Sequence, residues 1–298
     1  MSAKQTKQTK QTKQPERRRK TIKDFESEHG GTRIAQLESA LESQAQRRNP
    51  VHLEIPSASN TLVFGVIGDT HYGSLYEAKD ECAALYERFA AEGITDVLHA
   101  GDLIDGHKVY GGQEFELHSH GWAKQRDWFA ANAPRAKGIT THFITGNHDA
   151  SMKRAAGIDV GTEIEDRRPD WHFLAEDYGN IVFKTANGRT FRVAMIHPDG
   201  GSSYALSYKP QRIVEQLEGG KKPNLLLIGH FHKAEFMPNY RNVAVVQVGT
   251  FQWQTPYMVR KGLAAHVGGW IIRVTVDAPG AMSNSVRAEF IASYGRGA

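Results

Sequence analysis

Five short stretches of the chain set an apolar run in front of groups that bind metal ions. They are Asp69-Thr70-His71, Gly101-Asp102, Gly146-Asn147-His148-Asp149, His197 and Gly229-His230-Phe231-His232. Singly, each reads as a turn, a cap or a surface histidine. In succession, most of them beside a glycine, they predict side chains that meet at the carboxyl edge of a sheet, where open α/β sheets bind ligands. Carboxylate, imidazole and amide oxygen without thiolate suit Mn²⁺, Fe or Zn²⁺, not a structural zinc cage. The set Asp69, His71, Asp102, Asn147, His148, His197, His230 and His232 exceeds one ion's needs and suits two, one carboxylate bridging them to offset their repulsion. The chemistry of such a centre is hydrolytic: a water between two cations becomes a hydroxide near neutral pH and attacks phosphorus in line with the leaving oxygen.

The elements that must position these groups can be read from hydrophobic periodicity and breakers. Buried strands are expected at 62–67, 96–100 and 141–145, each ending in one of the motifs. Between and after them, helices are expected at 76–92, 122–132 and 159–168, stopped by Gly93, Pro134 and Pro169. The pattern then turns β-rich. Strands at 180–184 and 190–196 form a hairpin across Ala186-Asn187-Gly188. A helix at 205–217 precedes strands at 224–228 and 243–248, and 270–276 pairs with 286–292. The order βαβαβα followed by strands predicts an α/β protein, two mixed sheets packed together and flanked by helices in a four-layer αββα sandwich. No Gly-x-Gly-x-x-Gly or phosphate-loop signature is present.

Composition sets the class. The chain has 298 residues, 40% hydrophobic and 23% charged, as expected of a soluble globular protein with a sizeable core. A single cysteine, Cys82, excludes an internal disulfide and a cysteine-based zinc site, and its place in a helical stretch predicts a buried structural thiol. No apolar run reaches the roughly 18–20 residues that span a bilayer, and no secretory signal opens the chain, so a reducing cytoplasm is the expected setting. The net charge of +4 hides an asymmetry. Residues 1–23 carry nine Lys/Arg against one Glu, and the remainder is mildly acidic. Lys-Gln-Thr repeats and the Arg17–Lys20 cluster predict a disordered basic tail, either a solubiliser or an arm for phosphate backbones. Thr32–Arg48 reads as a helix with Ile34, Leu37 and Leu41 on one face, able to dock on the body or to pair with a second subunit. The expected division is a tail at 1–23, a helical extension and linker at 24–59, and the main domain at 60–298.

The motif set resembles the calcineurin-like metallophosphoesterase family, whose blocks are Asp-x-His, Gly-Asp, Gly-Asn-His-Asp/Glu, a lone His and Gly-His-x-His. The resemblance covers roughly residues 60–250. It implies that Asp69, His71 and His232 hold one metal, that Asn147, His197 and His230 hold the other, and that Asp102 bridges. It further implies that His148 acts as general acid, oriented by Asp149. One departure is visible: the lone histidine stands in Ile196-His197-Pro198-Asp199, where the family often has glycine beside it.

The ligand set alone does not separate monoesters from diesters. The basic tail and the loop 106–121, with His107, Lys108, Tyr110, His118 and His120, favour a polynucleotide backbone and stacked bases. Tyr204, Lys209, Phe251 and Trp253 are further candidates for substrate contact, Phe251 and Trp253 reading equally as core. The block Gly101-Asp102-Leu103-Ile104-Asp105 resembles nuclease-type members of the family. The expected activity is therefore two-metal phosphodiester cleavage of DNA or RNA. The alternatives are a small-substrate phosphoesterase, acting on cyclic nucleotides or phosphoproteins, and a non-catalytic accessory subunit, against which the full ligand set speaks.

Overall fold

The computed structural model describes residues 52–276 and 284–294. The expected tail at 1–23 and helix at 32–48 lie outside the described residues. Two six-stranded sheets form the body. One has the order β12-β11-β2-β3-β4-β5 and comprises β2 (Thr61–Ile67), β3 (Asp96–Ala100), β4 (Thr140–Thr145), β5 (Trp171–Glu176), β11 (Gly268–Val276) and β12 (Asn284–Ala292). The other has the order β1-β6-β7-β8-β10-β9, with β1 (His52–Pro56), β6 (Tyr178–Lys184), β7 (Thr190–Ile196), β8 (Leu225–Ile228), β9 (Ala234–Tyr240) and β10 (Val243–Val248). Strands β2 to β5 run parallel, as do β7, β8 and β10, so their carboxyl ends share an edge.

Period-two alternation sorts the apolar side chains into layers. In β8, Leu225 and Leu227 face the opposite sheet while Leu226 and Ile228 face outward; in β10, Val246 and Val248 face inward and Val243 and Val245 outward. Leu62, Phe64 and Val66 of β2 join that inter-sheet core, where Phe64 stacks on Phe183 with centroids 5.1 Å apart. Helices α1 (Lys79–Ala91), α2 (Trp122–Asn132), α3 (Asp149–Ala156) and α4 (Val160–Arg167) lie with the first sheet, burying Cys82, Leu85, Phe89, Phe129 and Ile164. Helix α5 (Tyr208–Gln216) contributes Val214 to the outer face of the second sheet. Four layers result, as expected from the sequence.

Several elements escape the periodicity argument. Strand β1 pairs in parallel with β6, so the second sheet already begins within the stretch assigned to a linker. Strand β9 is an edge strand carrying Pro238 and no buried residue, which gives it no apolar alternation to read. Strand β5 pairs with β4 through a register shift between Phe143 and Ile144, which breaks its own alternation. Helices α3 and α6 (Pro256–Lys261) are too short for a repeating stripe, although Thr255 caps α6 and Pro256 opens it. Helices expected at 76 and 205 begin at Lys79 and Tyr208.

One buried charge ties the helical layer together. Arg168 is 1% exposed, reaches the carbonyls of Ala133 and Pro134 at 2.9 and 2.8 Å, and pairs with Asp170 at 2.6 Å. Its guanidinium also lies 5.8 Å from the Trp171 ring. Arg168→Ala would leave two carbonyls and a carboxylate without their donor, so it is expected to lower unfolding stability by about 3–5 kcal/mol. A urea titration checks this; a decrease under about 1 kcal/mol would show that water replaces the guanidinium.

Candidate metal centre

The motif residues meet where β2, β3, β4, β7 and β8 end. After β2, β3 and β8 the chain turns too tightly for ordinary backbone. Asp69, His71, Asp102, His230 and His232 all have positive φ, between 46° and 76°, a region that side chains other than glycine rarely occupy. Such strain in five clustered residues marks a functional site. Gly146 is needed for a different reason: a Cβ there would collide with the Asp102 carboxylate and the His197 ring.

Three groups of ligand atoms lie mutually within 4.8 Å: Asp69, His71 and His232; His71, Asp102 and His148; and Asp102, His197 and His230. Their tautomers test whether a cation fits. His197 has Nδ1 at 2.8 Å from the Ala100 carbonyl, which can only accept, so Nδ1 carries the proton. The inward Nε2 of the neutral ring then presents a lone pair to Asp102 Oδ2 and Asn147 Oδ1, both at 3.1 Å. His230 donates from Nε2 to the Gly200 carbonyl at 2.6 Å, leaving Nδ1 to face Asn147 Oδ1 at 2.8 Å. His71 donates from Nδ1 to the Asp105 carboxylate at 3.1 Å, and its Nε2 faces His232 Nε2 at 3.0 Å. His232 Nε2 in turn lies 3.4 Å from Asp69 Oδ1. Lone pairs pointed at one another are repulsive unless a proton or a metal ion stands between them. Outer nitrogens donating to carbonyls and carboxylates are how metal-binding histidines are held. The donor set fits divalent cations.

The electrostatics agree. Burial pulls His197 down, but Asp102, and Asp69 behind it, lift its imidazole to about 10 in the cation-free protein. Asp102 lies well below the usual carboxylate range because His197 and His148 outweigh its burial. Burial, then the charge of its neighbours His148 and His197, lowers His71 and His230 respectively.

His148 and Asp149 flank this cluster. The His148 ring meets the His71 ring edge-on, centroids 4.4 Å apart, and its Nδ1 donates to the Asp105 carbonyl at 2.6 Å. Burial opposes its protonation, yet the Asp102 and Asp105 carboxylates raise it above 6.5. The expectation that Asp149 orients this ring is corrected by the geometry. Asp149 is buried and accepts from the backbone amides of Leu103, Ile104 and Gly146 at 2.9–3.1 Å. It locks the loop after β3 to the loop after β4, while Asp105 holds the ring. Burial and the Asp102 charge push the Asp149 carboxyl up to about 7, against the pull of those amides.

Two buried residues missed by motif reading complete the support. Asp105, the last residue of the 101–105 block, also accepts from Gln252 Nε2 at 3.0 Å and Gln113 Nε2 at 3.2 Å. His99, which burial holds down at about 3, donates from Nε2 to Thr70 Oγ1 at 3.0 Å and accepts from Gly101 N, bracing two of the metal-type turns together. The Asp at 105 was visible in the sequence; nothing local marks His99.

A cavity of about 470 Å³ opens over the cluster. Among the substrate-contact candidates only Tyr110 lines it. Phe251 is 1% exposed and packs in the core, and Trp253 packs against the same cluster, so both are structural. His107 donates its backbone amide to Ser151, Lys108 is exposed with φ 51°, Tyr204 is fully exposed, and Lys209 lines a separate crevice with Ser202 and Phe231. His118 packs on Trp128 and faces Glu77, and His120 is exposed. Residues the motifs did not flag take their places: Arg154, Asp199, Tyr257 and Met258 line the cavity.

No curated protein matches the chain. Among solved structures it is similar to GAP50, described as the anchor in the inner membrane complex of Plasmodium, at 11% identity and TM-score 0.48, over 78% of this chain and 84% of that one. Vps29 from Entamoeba histolytica, as a single mutant, aligns at 15% identity and TM-score 0.37 over 78% and 100%. A conserved uncharacterized protein from Streptococcus pneumoniae, a predicted phosphoesterase, aligns at 12% identity and TM-score 0.34 over 77% and 98%. Residues 62–265, more than half of the chain and the whole of the described ligand cluster, match the calcineurin-like phosphoesterase superfamily domain, and the chain belongs to that family.

Proposed function

We propose that the protein is a phosphodiesterase that cleaves DNA or RNA with two divalent cations, Mn²⁺ foremost. The observation that carries the reading is the convergence of imidazole nitrogens and side-chain oxygens at 2.8–3.1 Å, with the outer nitrogens of His71, His197 and His230 each held by a carbonyl or carboxylate. Asp69, His71, His232 and Asp102 would hold one ion, and Asn147, His197, His230 and Asp102 the other. Bound there, the ions supply the nucleophile and offset the charge of the phosphoryl oxygens.

The chain's own residues do the rest. His148, held through Nδ1 by the Asp105 carbonyl, has Nε2 as the atom from which a proton passes to the leaving oxygen. Asp149 keeps the two ligand-bearing loops in register through three amides. Arg154, at the cavity mouth, donates to the Asn147 carbonyl at 3.1 Å and places a positive charge where an incoming phosphate passes. No helix among the described residues is long and apolar enough to cross a membrane.

A panel with added Mn²⁺ tests the reading: single- and double-stranded DNA, RNA, a cyclic nucleotide and a phosphopeptide. Cleavage of a polynucleotide, abolished by a chelator and restored by Mn²⁺, is the expected result. Turnover confined to the cyclic nucleotide or the phosphopeptide would move the protein to the small-substrate class, and no turnover to the accessory class. Removing residues 1–23 is expected to weaken polynucleotide binding and to flatten its salt dependence by roughly 0.7 log units for each single-strand phosphate that the tail neutralises. An unchanged slope would leave the tail as a solubiliser.

A further inference from the structure

We propose that the stacked rings of Tyr110 and Tyr257 form a wall that holds one unpaired nucleobase of the leaving group beside His148. The inference rests on the phosphodiesterase reading of the same centre.

The two rings come from distant parts of the chain, the loop after β3 and helix α6. They nevertheless stack with centroids 4.2 Å apart and planes 23° from parallel. A single buried carboxylate fixes both. Glu116, 5% exposed, accepts from the Tyr110 hydroxyl at 2.8 Å through Oε2 and from the Tyr257 backbone amide at 3.0 Å through Oε1. The wall is therefore built before any ligand arrives, and a rigid aromatic surface loses little entropy on binding. Both rings are half-buried and line the cavity together with Val109, Met258, Leu263 and Ala264. Arg154, Asp199 and Ser202 add polar groups to the same lining.

Position gives the wall its role. The Tyr110 ring lies 6.3 Å from the His148 ring, centroid to centroid. A general acid stands beside the leaving oxygen, so the group attached to that oxygen extends toward the wall. Planar, weakly polar and sized for a cavity that takes one small ligand, a nucleobase matches it. Base–aromatic stacking is sequence-tolerant, since every base has a π-face. Stacking on the wall requires the base to be out of a duplex.

The test uses the full chain with Mn²⁺ and three dinucleoside monophosphates: dT-p-dT and the two analogues in which one or the other thymine is missing. The product that retains the phosphate identifies the leaving side. For the wild type, kcat/KM is expected to fall about 10–100-fold when the leaving-side base is absent. Tyr257→Leu and Tyr110→Leu are expected to shrink that ratio to about threefold or less, while Tyr110→Phe, which keeps the ring, retains most of it. A wall that only props up the fold would lower kcat/KM on all three substrates together and leave the ratio intact, which would overturn the proposal. A wild-type preference for the base on the other side would overturn it as well. Wild-type hydrolysis with no base preference would sink the wall alone; no hydrolysis of any of the three by wild type would sink the phosphodiesterase reading and the wall with it.

Discussion

Asp102→Ala is expected to empty both halves of the centre at once. Elemental analysis of Mn²⁺-reconstituted protein should fall from about two ions per chain to well under one, with kcat/KM down by about 10³-fold or more. The reason is geometric. Asp102 belongs to two of the three ligand groups, with Oδ2 at 3.1 Å from His197 and 3.8 Å from His71. Without that carboxylate two cations would sit close together with nothing between them to offset their repulsion. Its other oxygen accepts from the His148 amide at 2.8 Å, so alanine also loosens the turn after β4. Asp102→Asn separates the two effects: asparagine tolerates the positive φ of 55° and preserves an oxygen for that amide while removing the charge. Unchanged circular dichroism with depleted metal supports bridging. Two ions retained by Asp102→Asn would show that each half stands without it.

His148→Ala should behave in the opposite way, keeping its metal and losing its chemistry. Its contacts run to the Asp105 carbonyl and to the edge of the His71 ring, and Asp69, His71 and His232 form a complete group without it. Removing a general acid is expected to cost about 10²–10⁴-fold on a substrate with an alkoxide leaving group. A nitrophenolate needs no proton to depart, so bis(4-nitrophenyl) phosphate should slow far less. The pH profile carries the sign. In the proposed role the protonated ring is the active form, so the wild-type rate on an alkyl ester is expected to fall as pH rises through the His148 pKa, and this alkaline limb should vanish from the variant. An equal decrease on both esters, or depletion of metal, would place His148 among the ligands.

Local pattern was enough for most of the fold and for the set of groups that meet. Short apolar runs at β2, β3, β4 and β8 marked buried strands, and each was followed by its polar motif within a few residues, so these ligand-bearing turns could be read one at a time. The elements that stayed hidden lack any local repeat: β9 is an exposed edge with a proline, β5 has a slipped register, and α3 and α6 are barely two turns long.

The partners of the motif residues were a different matter. The family resemblance implied that Asp149 orients His148. The fold instead aims Asp149 at amides 45 and 46 positions away and brings the Asp105 carbonyl onto the ring. In the same way Phe251 and Trp253 follow a strand end as ligands do, yet they turn into the core. The cavity wall could not be foreseen at all, because Tyr110 and Tyr257 are far apart in the chain and a third residue, Glu116, joins them. Residue type and spacing along one strand end are set by the chemistry required there, and sequence displays them directly. Which donor reaches which acceptor depends on how separate loops pack at the sheet edge, and only the tertiary structure decides that.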